Sequence, residues 1–157
     1  MSLAELLTAV AIVGILAGTS IHASRAPLAH QQLLAAARQL ELGIEQARDQ
    51  AMDQQAPCEL ALGQAGWIAP AGGSLPACSH ATRPLLAGDR GAGLQLSHNI
   101  SELQFTTNGL VLGGGTVRLA VDGLVQERCV VISLPLGITR RGIWKGRQCL
   151  PAPKAQP

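Results

Sequence analysis

The chain has 157 residues, the length of one domain with a long helix attached. Two Trp, one Phe and no Tyr exclude an aromatic core, so packing must come from Leu, Val, Ile and Ala. The net charge of +2 is too small to name a partner, but its placement is uneven: of the twelve Lys and Arg, Arg128, Arg140, Arg141, Lys145, Arg147 and Lys154 follow Glu127, and no acid does.

Residues 3–21 are an apolar or small run, just long enough to cross a hydrocarbon core of about 30 Å as a helix, with Glu5 as the only formal charge. A carboxylate in lipid costs on the order of 2.5 kcal/mol or more, so it persists only where a positive charge meets it. No basic residue precedes Arg25, which leaves a chain-terminal amine, its own or a neighbour's, to pair with Glu5. A cleaved secretory signal would need a basic start and a small-residue cleavage site before the mature domain. Here the run passes straight into a helical pattern, so residues 1–24 read as a retained transmembrane half of a helix.

After Pro27 the pattern turns amphipathic, with Leu33, Ala37, Leu40, Ile44, Ala47 and Ala51 three or four apart. Residues 25–56 therefore continue the helix, half buried on a globular domain and ending near Ala56-Pro57. Arg38, Glu41, Glu45 and Arg48 fall on other faces, and Arg48 reads as a solvated ion-pair partner of Glu45.

Residues 57–157 change character. Short β-type runs at 58–62, 66–69, 94–96, 103–107, 116–121, 124–127 and 129–134 are separated by Gly, Pro, Asn and Asp, and Asn108-Gly109 and Asp122-Gly123 predict type I′ hairpins. The expected class is α+β, a long helix packed on an antiparallel β-domain. The stretch from Gly72 to Gly93 has poor strand signals.

Cys58, Cys78, Cys129 and Cys149 lack the Cys-x-x-Cys spacing of zinc sites and suit disulfides, which implies an oxidising compartment. Of the three pairings, Cys58 with Cys78 and Cys129 with Cys149 are favoured as local, although sequence leaves the connectivity open. Phosphate loops, nucleophile elbows and His-Glu-x-x-His pairs are missing, and His22, His30, His80 and His98 share no ligand spacing. The expectation is a non-enzymatic protein without cofactor or metal.

Met1-Ser2-Leu3-Ala4-Glu5-Leu6-Leu7 resembles the start of mature type IV pilins and type II secretion pseudopilins. Gln46-Ala47-Arg48-Asp49-Gln50-Ala51-Met52, the Phe105–Gly109 stretch, Gly115-Thr116-Val117-Arg118-Leu119 and the Val130-to-Arg140 stretch are similar, in the same order, to the FimT and pseudopilin H group. By that resemblance prepilin peptidase has removed a leader and methylated Met1, and Glu5 neutralises a neighbour's terminal amine during filament assembly. It implies a single pass through the bacterial inner membrane with the β-domain in the periplasm, or display at the cell surface once other pilins or pseudopilins have taken the subunit into a filament. A minor pilin at the tip or in the priming assembly of a type IV pilus is expected, with a secretion pseudopilin as the alternative.

In some FimT-like pilins a C-terminal Gly-Arg-x-Arg element is implicated in binding DNA during natural transformation. This chain has Gly137-Ile138-Thr139-Arg140-Arg141 in its place. Arg140, Arg141, Lys145 and Arg147, with Trp144 among them, are the candidate residues for double-stranded DNA, on what reads as a basic loop closed by Cys149. Trp144 reads more readily as cover for that disulfide than as a stacking platform.

Overall fold

The structure, a computed structural model, describes residues 3–8, 10–13, 25–85, 93–100 and 102–152. Residues 3–8 and 10–13 are helical, and Arg25–Asp53 form helix α1. Leu33, Ala36, Ala37, Leu40, Ile44, Ala47 and Ala51 are all buried along one stripe of α1, as a 3.6-residue period requires of a helix lying on a sheet. Small residues let the helix approach closely: a side chain at Gly43 would stand 2.3 Å from the Trp67 ring, whose Nε1 donates to Leu40 O at 2.9 Å.

The helix ends three residues earlier than the sequence suggests. Ala56 N donates to Ala51 O at 3.2 Å and Gln55 N to Met52 O at 3.3 Å, with Gln55 at φ 50°. This is a Schellman cap with Gln in the left-handed position, and Pro57 prevents resumption of the helix.

Nine strands follow: β1 (Cys58–Gly63), β2 (Gly66–Ile68), β3 (Leu94–His98), β4 (Glu102–Phe105), β5 (Val111–Leu112), β6 (Gly115–Val121), β7 (Glu127–Ser133), β8 (Ile138–Lys145) and β9 (Gln148–Pro151). They form two antiparallel sheets, in the orders β2-β1-β4-β5 and β3-β6-β7-β8-β9, and α1 packs on both. Leu60, Leu103, Phe105 and Val111 from the first sheet meet Val117, Leu119, Val130 and Ile132 from the second beneath the helix.

Three expectations need correction. The run at 124–127 is not a strand, because Val121 to Leu124 form a turn and β7 starts only at Glu127. Neither Asn-Gly nor Asp-Gly makes a two-residue type I′ turn, since only the glycines have positive φ (Gly109 72°, Gly123 82°) and the loops are wider. The basic C-terminal segment is not a loop: residues 138–151 form the hairpin β8–β9. Its turn, Gly146-Arg147, is a two-residue connection with φ of 56° and 77°, the type I′ geometry expected elsewhere.

Candidate functional site

The register of β8 decides how the basic residues are displayed. Val130 lies opposite Arg141 and Val131 opposite Arg140, so alternation sends Arg141 to the helix side, with buried Val130, and Arg140 to the outer face. Arg141 Nε reaches Glu41 Oε2 of α1 at 3.1 Å. Burial pushes the Glu41 carboxyl above its usual range, opposed by the Arg141 charge and a hydrogen bond with Thr139. Arg141 is thus committed to the helix, whereas Arg140, Lys145 and Arg147 are exposed and, among the described residues, form no ion pair. The four cations do not make one patch.

Arg147 sits at the hairpin tip in a left-handed conformation that costs a side chain other than Gly about 1–2 kcal/mol. It borders a shallow outer-face hollow with His98, Arg118, Trp144 and Cys149. The Arg118 guanidinium lies 5.8 Å from the Trp144 ring centre, and its Nε donates to Glu127 Oε2 at 2.6 Å. That hydrogen bond, more than the charge of Glu127, holds Arg118 protonated still more firmly than usual.

Disulfides join Cys58 to Cys78 and Cys129 to Cys149. The second pair belongs to strands on either side of β8, yet its Cα atoms are 5.8 Å apart, well under the roughly 9.5 Å of two strand spacings. The sheet curls at this edge, and Gly142 makes room: a Cβ there would lie 2.8 Å from Cys149 Sγ and 2.2 Å from Leu150 O. Trp144 stands directly opposite Cys149 in the register.

At the other end, Glu5 lies on the helical stretch 3–8, where Thr8 Oγ1 donates to Glu5 O at 2.9 Å. Leu3 (81% exposed), Leu6, Leu7, Val10, Ile12 and Val13 are exposed among the described residues. Met1 and most of the expected span lie outside the described residues, among which no helix is long and apolar enough to cross a membrane.

Two features escaped the sequence reading. Arg48 is not a solvated ion-pair partner: Nε and Nη2 are buried without an acceptor, against Gly109 and Gly137. Glu59 is a completely buried acid on β1, and Glu102 on β4 is its diagonal neighbour across the pair of strands. The Glu59 carboxylate, first as a hydrogen-bonding neighbour and then as a charge, holds the Glu102 carboxyl above its ordinary range. An acid in an alternating strand reads as solvent-facing, and only the path of residues 70–78 shows otherwise.

Residues 36–135, more than half of the chain, match the family described as Type II transport protein GspH. The fold is similar to the crystal structure of the type IV minor pilin FimU of Pseudomonas aeruginosa, at 22% identity and a TM-score of 0.50, covering 78% of this chain and 96% of that one. No curated protein sequence matches. A helix laid along two antiparallel sheets, over a sequence that follows the family pattern from within α1 to the end of β7, places this chain in the GspH family of type II transport proteins.

Proposed function

We propose that the chain is a non-enzymatic minor-pilin subunit of a type IV pilus, anchored in the inner membrane by residues 1–24 and drawn into the tip or priming assembly by its N-terminal helix. One observation carries this reading. The helical residues 3–8 and 10–13 expose six large aliphatic side chains that the described β-domain does not cover, while the apolar stripe of α1 is buried. Burial of each aliphatic side chain contributes about 1.5–3 kcal/mol, so that stretch belongs in lipid or among the helices of other pilins. Prepilin peptidase would supply the free, methylated amine of Met1 for Glu5 to meet.

The test is fractionation of the tagged full chain in cells that make both a pilus and a secretion filament. Recovery with sheared pili supports the reading. Recovery only with the secretion pseudopilus would overturn it in favour of the pseudopilin alternative, to which the family description points.

DNA capture is a second reading. It is favoured by Arg147, a strained cation at a hairpin tip next to exposed Lys145, with neither in an ion pair among the described residues. Strain of this kind persists where a side chain is needed in place. Double-stranded DNA should bind the full chain in detergent, weakening as salt rises, and the combined Arg140, Lys145 and Arg147 to Ala variant should lose binding while Arg141→Ala largely keeps it. Equal binding by the triple variant would remove this reading.

A further inference from the structure

The face of the first sheet turned away from α1 carries a charge problem. In the β1–β4 register Glu59 stands opposite Gln104, and Glu102 opposite Ala61. Cys58, Leu60, Leu103 and Phe105 point into the core, so the alternate residues Glu59, Glu102 and Gln104 share the other face. Glu59 and Glu102 are diagonal neighbours on this face, a placement within reach of long side chains.

Residues 70–78 form a strap whose middle, at Gly73 and Leu75, lies over Glu59 on this face, while Ala77 pairs with Glu59 along the edge of β1 as a parallel bridge. The strap is held by the Cys58–Cys78 disulfide, by Glu59 N donating to Pro76 O at 2.9 Å, and by Cys78 N donating to Glu59 O at 3.0 Å. Beneath it Glu59 is 0% exposed. Oε2 accepts from Leu75 N at 3.4 Å, and Oε1 is buried with no hydrogen-bond partner. The strap is fitted to the acid: a side chain at Gly73 would lie 2.6 Å from Oε2. No Lys, Arg or His occurs in β1, β4 or residues 70–78.

A buried carboxylate without a counter-charge costs several kcal/mol, and a second carboxylate nearby adds repulsion. An unpaired buried oxygen beside another acid and an amide is the pattern of an oxygen-donor cation site. We propose that Glu59, Glu102 and Gln104 bind a calcium ion that pins the strap to β1 and β4. The donors are all oxygen, which disfavours zinc, and their irregular setting disfavours magnesium, which demands a near-ideal octahedron. Among the described residues no three His, Cys, Asp or Glu side chains gather into a metal cluster, so the pair of acids relies on amide, main-chain carbonyl and water oxygens, as calcium permits. Two carboxylates suit weak affinity, with Kd of about 10⁻⁴–10⁻³ M, as in extracellular calcium modules.

Full-length protein in detergent, stripped with a chelator, is melted at neutral pH with and without calcium at a concentration well above that Kd. Calcium should raise Tm by about 5 °C, and magnesium should not. Exposed Glu102 is the safe position to change: Glu102→Gln should fold with no lower Tm in chelator and should lose the calcium shift. Glu59→Gln should lose it as well. Absence of a calcium shift in the wild type would overturn the proposal, and so would an equal magnesium shift or a full shift retained in Glu102→Gln.

Discussion

Arg48 sits where the last turns of α1 meet two chain reversals, and its surroundings leave its charge poorly served. Gly109 and Gly137 approach so closely that a Cβ at either would press on it, and Nε and Nη2 lack acceptors. An unpaired buried donor costs about 1–3 kcal/mol, while the aliphatic stem packs usefully. Arg48→Met keeps the stem and removes the orphaned donors, so the urea midpoint should rise by the equivalent of about 1 kcal/mol; a fall of that size would show that the guanidinium is paired. Glu41 makes a different prediction. Its carboxyl is raised by burial, so the folded state holds the proton more tightly than the unfolded chain, and stability is lost as pH rises from the ordinary carboxylate range through the folded value. Glu41→Gln lacks this loss. The Tm of the wild type minus that of Glu41→Gln should therefore fall between pH 4 and pH 7 (about the span over which carboxylates titrate), and a constant difference would contradict the assignment.

At the scale of elements, the cap of α1 offers a clean experiment. Gln55 holds φ 50° in a Schellman motif where Gly is the usual occupant. Gln55→Gly relieves about 1–2 kcal/mol of left-handed strain, partly offset by the greater freedom of Gly in the unfolded chain, so thermal melts should show a net gain of about 0.5–1 kcal/mol. A loss would mean that the Gln55 Nε2 bond to Met52 O, at 2.7 Å, outweighs the strain. The same local physics explains which elements could be read from sequence. Leu33, Leu40 and Ile44 repeat with the helical period, and Thr116 to Val121 alternate as a half-buried strand should, so α1 and β6 were legible. The hairpin β8–β9 was not: Arg140, Arg141, Gly142 and Lys145 give no apolar alternation, because one face of β8 meets a charged patch of α1 and the other a disulfide crossing Gly142. Its turn was hidden as well, since Arg147 takes a conformation that sequence rules reserve for Gly or Asn. Glu59 was illegible for a longer-range reason, because its burial depends on a strap brought back from residues 70–78 by a disulfide.

The whole molecule separates two tasks along its length. The β-domain closes its own core, with α1 as a wall of it, whereas, among the described residues, 3–8 and 10–13 expose their large aliphatic side chains. Lipid and a bundle of other pilin helices are equally apolar, so hydrophobicity cannot choose between membrane and filament, nor fix the axial position of one helix against the next. A charge can. On the proposed reading, the terminal amine of the next subunit meets Glu5 in one register and not in others, which would turn a weak preference into a specific one. Glu5→Val should leave the full chain in the membrane fraction at wild-type levels, with the Tm of the β-domain unchanged, and should deplete it from sheared filaments by at least about tenfold, the equivalent of 1.4 kcal/mol. Glu5→Gln should be depleted as well, because it retains size and polarity without the charge. Normal incorporation of both variants would mean that helix packing alone sets the register, and that the acid at position 5 serves some other end.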